Sequence, residues 1–339
     1  MTKQRITYLS ALAASAILFL GLLAAGACAN EQRWAEPALN RFLADVLRSD
    51  VASDDDGILH ADIGLAAVDA RGIPNHASIS RDPKDGRLEV SRYSHDDIPL
   101  PPGDMMQTAT YAWLLDHKHI TLHERIAAGA DSVTVREAFL RPACEVSLPP
   151  FDREPYFRDS YLFVSDLVRY FGPSRAFYLP SYYYHSLLED EFRSITDGSG
   201  ILLTQDQLLS FYGSIAREGA RPERTWHHRR RICSKETASA LTSLLRENIL
   251  AGKDTLLARL AVPVAGRGGD GILDKGWIPF MQVRPSDSVR VSSFVGFFPS
   301  HAPKYTLCVS IYSSDTTRTE TAARIFEDVV NRLTMKKKI

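Results

Sequence analysis

Gly198-Ser-Gly-Ile-Leu-Leu-Thr204-Gln-Asp-Gln207-Leu208-Leu209-Ser-Phe211-Tyr212-Gly-Ser-Ile215-Ala216-Arg-Glu-Gly219 is the stretch that decides the fold of this chain. Its two opening glycines suit a turn. Thr204 followed three residues later by Gln207 has the form of a capping box, in which the threonine hydroxyl takes the N3 amide and the glutamine reaches back to the cap. Leu208, Leu209, Tyr212 and Ile215 then recur at helical spacing, which predicts a helix over Thr204–Glu218 with one buried face.

Working outward, Pro101-Pro102-Gly103-Asp104-Met105-Met106-Gln107 delivers the chain into another helix reaching about Asp116. Asp104 stands where a side chain caps free backbone N–H groups, at a helix start that favours negative charge. Between the two stretches, Val133–Leu140, Tyr161–Phe171 and the Tyr/Leu-rich Ser181–Phe192 read as helices, and Tyr178, Tyr182, Tyr183 and Tyr184 as packing. Towards the N-terminus, Leu39, Phe42, Leu43, Val46 and Leu47 mark a helix within 31–50, broken by Ser53–Gly57. The acids there are adjacent, whereas a calcium loop needs them at alternating positions, so the reading is a solvated turn. Ile63–Gly72 and Ile73–Ser80 read as paired strands, and 81–100 as a polar surface connection. Towards the C-terminus, the basic run Trp226–Arg231 reads as a solvated edge and Ser234–Ala251 as a helix. Residues 262–267, 277–284, 291–298 and 305–312 read as strands, and Thr319–Leu333 as a closing amphipathic helix. Strands at both ends with helices between them predict an α+β fold: an antiparallel sheet of about five strands flanked by helices, with a mostly helical subdomain (about 120–250) inserted after the first strands.

The 339 residues are 45% hydrophobic and 24% charged with a formal net charge of -1, which carries no signal for nucleic acid or disorder. Four cysteines (Cys28, Cys144, Cys233, Cys308) are too few and too scattered for a disulfide framework. His119 and His123 are four apart, but no carboxylate or cysteine joins them at ligand spacing, so no metal and no cofactor is expected. Lys3 and Arg5 precede an apolar run from Ile6 to Ala29, the form of an export signal, with Ala27-Cys28-Ala29 as a small-residue cleavage site. The run is also long enough to stay as a membrane anchor, and lipidation at Cys28 is a third outcome. All three place the body outside the cytoplasm, periplasmic or otherwise extracytoplasmic. The expected organisation is a signal or anchor over 1–29, a helical linker over 30–57, one domain over 58–335 and a basic tail over 336–339.

In order, these segments resemble the transpeptidase domain of penicillin-binding proteins. Gly198–Gly219 is similar to the family's G-x-G-…-T-P-x-Q-L…Y…A-x-x-G stretch, and Ser234-Lys-Glu-Thr237-Ala238 to its S-P-E-T-A helix. Val264-Ala265-Gly266-Arg267-Gly268-Gly269 lies where the family has V-A-G-K-T-G, and Ser293-Phe294-Val295-Gly296-Phe297-Phe298-Pro299 resembles its F-V-G strand. Val68–Gly72 resembles its V-x-D-P-x-T-G hairpin. The resemblance covers roughly residues 35–335. It implies a cleft served by S-x-x-K, S-x-N and K-[ST]-G, which supply nucleophile and base, a proton shuttle, and a carboxylate anchor beside the oxyanion site.

All three motifs are altered. P-G-S-x-x-K falls on Pro102–Gln107, placing Asp104 at the nucleophile and Gln107 at the base. S-x-N falls on Asp159-Ser160-Tyr161, and K-[ST]-G on Arg267-Gly268-Gly269. No Ser-x-x-Lys, Ser-x-Asn or Lys-[Ser/Thr]-Gly occurs anywhere in the chain. A glutamine amide accepts no proton, so Asp104 is expected to act as an N-cap, with an Asp104–Asp159 carboxylate pair as the acid/base alternative. Arg267 keeps a positive charge that can hold a peptide carboxylate bidentately, or else pair with Asp270. The implied function is a catalytically inactive scaffold or peptide-sensing component of peptidoglycan synthesis or cell division. Its expected partners are cell-wall synthesis proteins or the peptidoglycan stem peptide, with membrane contact through the N-terminal segment. A divergent active D,D-transpeptidase or carboxypeptidase and a pure protein-interaction module are the alternatives.

Overall fold

The computed structural model describes residues 36–52, 57–69, 71–81, 86–91, 98–128, 131–145, 157–172, 194–222, 231–251, 255–273, 288–314 and 322–337. The first hairpin is formed by β1 (Ile58–Ala67) and β2 (Pro74–Arg81), in register from His60 opposite Ser80 to Ala66 opposite Pro74. Its turn is held by Asp69, whose Oδ1 accepts the backbone N–H groups of Arg71 (3.0 Å) and Gly72 (2.7 Å). A short edge strand, β3 (Leu88–Ser91), pairs with the end of β2 inside the stretch expected to be only a surface connection. Four residues are too few to show a period of two.

The late strands β6 (Ala265–Leu273), β7 (Val289–Phe298) and β8 (Tyr305–Ser313) form a meander, and β8 returns to pair with β1. The result is one antiparallel six-stranded sheet in the order β3-β2-β1-β8-β7-β6, where about five strands were expected. A separate hairpin, β4 (Arg125–Ala128) with β5 (Asp131–Thr134), occupies part of what read as helix over Val133–Leu140. Thr134 caps the helix that follows it through a complete capping box with Glu137. The expected strand at 277–284, the segment Ser181–Phe192, the tyrosines at 178–184 and most of the basic run at 226–231 lie outside the described residues.

Alternation sorts the sheet's two faces. Ala61, Ile63 and Leu65 of β1 join Leu307, Val309 and Ile311 of β8 in a core with α1 (Pro37–Ala52) and the closing helix Ala322–Lys337. The N-terminal helix, expected as linker, therefore packs on the sheet through Phe42, Leu43, Val46 and Leu47. The opposite face meets the helices of the second core: α2 (Met106–Asp116), α3 (Val135–Phe139), α4 (Phe157–Phe171), α5 (Gln205–Ala216) and α6 (Lys235–Ala251). α5 starts as expected, with Thr204 and Gln207 forming a complete capping box. Gln205 then donates to the carbonyls of Asp62 and Cys308, both at 3.2 Å, which fixes α5 across β1 and β8. At the far end of α2, Trp113 stacks with His119 (4.8 Å between ring centroids) and donates to Asp166.

Two predictions arise from this packing. Burial pushes the Cys233 thiol up to about 12 and the Cys308 thiol higher still, so neither forms a thiolate near neutral pH. Mass spectrometry after iodoacetamide treatment should find both unmodified in the folded protein and alkylated in denaturant. In the other core, Asp50 is raised by burial and by the Asp328 carboxylate, although Arg332 lies 3.5 Å away. Ionising Asp50 thus opposes folding above its raised value, and that opposition vanishes below the ordinary carboxylate range. Asp50→Asn should gain on the order of 0.5–1 kcal/mol at neutral pH and nothing near pH 3, read by urea unfolding at both.

Candidate functional site

The Pro101–Gln107 stretch enters α2 through one 3-10 turn, Gly103–Met105, with Gly103 at φ +49°. Tyr212 of α5 anchors this turn from below: its hydroxyl donates to the Met105 carbonyl (3.1 Å) and lies 2.8 Å from the Thr108 hydroxyl. Tyr212 is fully buried, which raises its phenol well above the ordinary tyrosine range and fits it for anchoring rather than proton transfer. The Gly103 turn is wedged between two backbones. A Cβ on Gly103 would lie 2.6 Å from the Asp270 carbonyl of β6, and one on Gly198 2.3 Å from the Gly103 carbonyl. Gly269 lies equally close to the Pro102 carbonyl, at 2.0 Å by the same measure. The glycines of three separate sequence segments are the places where these backbones meet.

Asp104 does not cap the helix. The turn has no side-chain cap, and Asp104 instead accepts the backbone N–H of Ala143 (2.9 Å) through Oδ1, across 39 residues of chain. Its other oxygen faces the Arg267 guanidinium at 3.8 Å, and the side chain is 40% exposed. Gln107, one turn further on, is 1% exposed, and among the described residues neither its amide nitrogen nor its amide oxygen has a hydrogen-bond partner.

Arg267 is 3% exposed on β6. Its Nη1 donates to the Phe139 carbonyl (2.6 Å) and to Asn248 Oδ1 (3.3 Å), and its Nη2 to the Arg141 carbonyl (3.1 Å). The guanidinium also sits 4.6 Å from the centroid of the Phe139 ring. Burial lowers its affinity for the proton, and Asp104 is the largest influence opposing that. The pairing with Asp270 does not occur, because Asp270 faces Arg290 at 3.7 Å. Arg267 therefore caps the end of α3 with its charge, and its two terminal nitrogens are engaged inside the protein rather than turned towards solvent.

Beside the turn lies a cavity of about 550 Å³. Asp104, Gly268 and Gly269 line it, with Asp197, Ser199, Asp270, Ser292 and Ser293, while Gln107 and Arg267 stand outside its wall. The structure thus brings Asp104, Gln107, Arg267, Gly268 and Gly269 to one place. Asp159, Ser160 and Tyr161 fall in the first turns of α4, and the described side chains do not include theirs, so the Asp104–Asp159 pair lies outside the described residues. Sequence reading missed Asp197, Ser199 and Asn248. The first two immediately flank the Gly198 turn, the one signal that could have found them. Among the described residues, three carboxylates line the cavity and no lysine or histidine does.

No protein-family profile and no curated protein matches this chain. Solved structures do. A peptidoglycan synthetase from Bifidobacterium adolescentis superposes with a TM-score of 0.66 at 11% identity, over 90% of this chain and 61% of that one. The transpeptidase domain of a penicillin-binding protein 3 from Burkholderia pseudomallei gives 0.64 at 14% identity, over 89% and 95%. The transpeptidase domain of a D,D-transpeptidase from Legionella pneumophila gives 0.58 at 18%, over 87% and 96%. The fold is that of penicillin-binding protein transpeptidase domains, as the sequence resemblance implied, and this chain spans 61% of the synthetase's length.

Proposed function

We propose that this chain is a catalytically inactive, exported transpeptidase-like protein that serves as a scaffold or peptide-sensing component of peptidoglycan synthesis or cell division. One observation carries the proposal: the nucleophile and base positions hold Asp104 and Gln107. The carboxylate is engaged by Ala143 and faces Arg267, and the amide is buried without a hydrogen-bond partner among the described residues. Acyl transfer needs a nucleophile with a base in hydrogen-bond reach, and this pair supplies none. The cavity serines offer no replacement pair: Ser293 Oγ bonds Ser310 Oγ (3.1 Å), Ser292 Oγ accepts from the Ala322 N–H (3.4 Å), and Ser199 has no described lysine or histidine beside it in the cavity wall. Gly268 also lacks the hydroxyl that K-[ST]-G places beside the cleft. The carboxylate-anchoring role expected of Arg267 forms no part of the proposal, since its terminal nitrogens serve Phe139 and Arg141. The apolar N-terminal run supports export, and the partners proposed are cell-wall synthesis proteins or the stem peptide. No described helix is long and apolar enough to cross a membrane.

Incubation with a stem pentapeptide ending in D-Ala-D-Ala, followed by assay for free D-alanine, should show release no faster than in buffer. Release that is lost in Asp104→Ala would favour a divergent active enzyme instead.

A further inference from the structure

We infer that Asp104 is a latch: it holds the segment Pro142–Glu145 by one releasable hydrogen bond, and the same carboxylate faces the cavity. This goes beyond the proposed function and does not depend on peptide binding. The segment is anchored unequally along its length. Up to Arg141 it is held by Arg267, 3% exposed, through two carbonyls at the end of α3. Charge-assisted bonds from a buried guanidinium are the strong kind, and breaking them would strand a buried cation.

Beyond Arg141 the anchorage changes. Pro142 and Glu145 are exposed, and the Glu145 N–H turns back only to the Pro142 carbonyl (3.1 Å). Among the described residues, the Ala143 N–H to Asp104 is the hydrogen bond that ties this part to the body of the domain. Its acceptor is 40% exposed, so water competes for the bond and holds its net contribution down. The segment therefore has a fixed root and a weakly held tip. Because Asp104 also lines the cavity, a hydrogen-bond donor arriving there, an amide N–H or an ammonium group, competes with Ala143 for the carboxylate. A carboxylate group has no such claim on it.

Hydrogen–deuterium exchange on the full chain tests this. Asp104→Ala should speed exchange over 142–145 about tenfold and leave 139–141 and α2 at wild-type rates. Asp104→Asn keeps an acceptor oxygen and should stay close to wild type. Arg267→Lys cannot serve both carbonyls and should loosen 139–141 as well. The latch is overturned if Asp104→Ala leaves 142–145 unchanged, if it speeds 139–141 or α2 equally, or if Asp104→Asn behaves like Asp104→Ala.

Discussion

Gly103→Ala and Gly198→Ala should each lower the melting temperature by roughly 4–6 °C in a circular-dichroism scan, a large effect for a single added methyl group. Both residues have positive φ, +49° and +81°, a region that costs an L side chain about 1–2 kcal/mol. Both also lack room: the added carbon would fall 2.6 Å from the Asp270 carbonyl in one case and 2.3 Å from the Gly103 carbonyl in the other. Those neighbours are backbone in a sheet edge and a helix entry, so they cannot swing aside as a side chain would. Conformation and crowding together cost about 3 kcal/mol or more, a large share of the 5–15 kcal/mol that holds a domain folded. Two controls separate the causes. Gly86 has φ +71° with nothing within 4 Å of a new Cβ, so Gly86→Ala should show only the conformational part. Gly268 meets nothing closer than 3.5 Å, so Gly268→Ser, which restores the K-[ST]-G hydroxyl, should be nearly neutral.

Arg267→Met should cost about 3–4 kcal/mol in urea unfolding, an effect comparable to the glycine substitutions but of different origin. Methionine fills much of the space but leaves the Phe139 and Arg141 carbonyls without their donor, and removes the cation at the end of α3. Asp104 loses its facing charge but is 40% exposed and can turn to water, so its share of the cost is small. Arg267→Lys should fall between, because a single ammonium cannot span two carbonyls and an aromatic face. If Arg267 were instead a free ligand-binding group, Arg267→Met would be neutral or stabilising.

The parts of this fold legible in the sequence are those with a local cause. Thr204 and Gln207 announce their helix because both halves of a capping box lie three residues apart in the sequence. β7 and β8 announce themselves by their density of valine, phenylalanine, isoleucine and tyrosine. Leu39 to Leu47 gave the first helix, though not that it packs on the sheet, since an amphipathic face does not name its partner. β3 and the β4–β5 hairpin escaped because four-residue strands carry no period. At the site, sequence order brought Asp104, Gln107 and Arg267 together but misread their bonds. The partners of Asp104 and Arg267 are a backbone N–H at Ala143 and carbonyls at Phe139 and Arg141, groups that every residue carries and no pattern marks. Asp270, the alternative partner that proximity along the strand offers Arg267, is set by strand pairing across from Ser292 and within reach of Arg290.

The central claim is that the transpeptidase fold persists here without its acylating pair. Intact-mass spectrometry after incubation with excess benzylpenicillin tests it most directly, because acylation of any side chain adds one penicilloyl group. The expected spectrum shows the unmodified chain alone, at every time point. A penicilloyl adduct that forms on the folded protein and disappears on unfolding it beforehand would contradict the account.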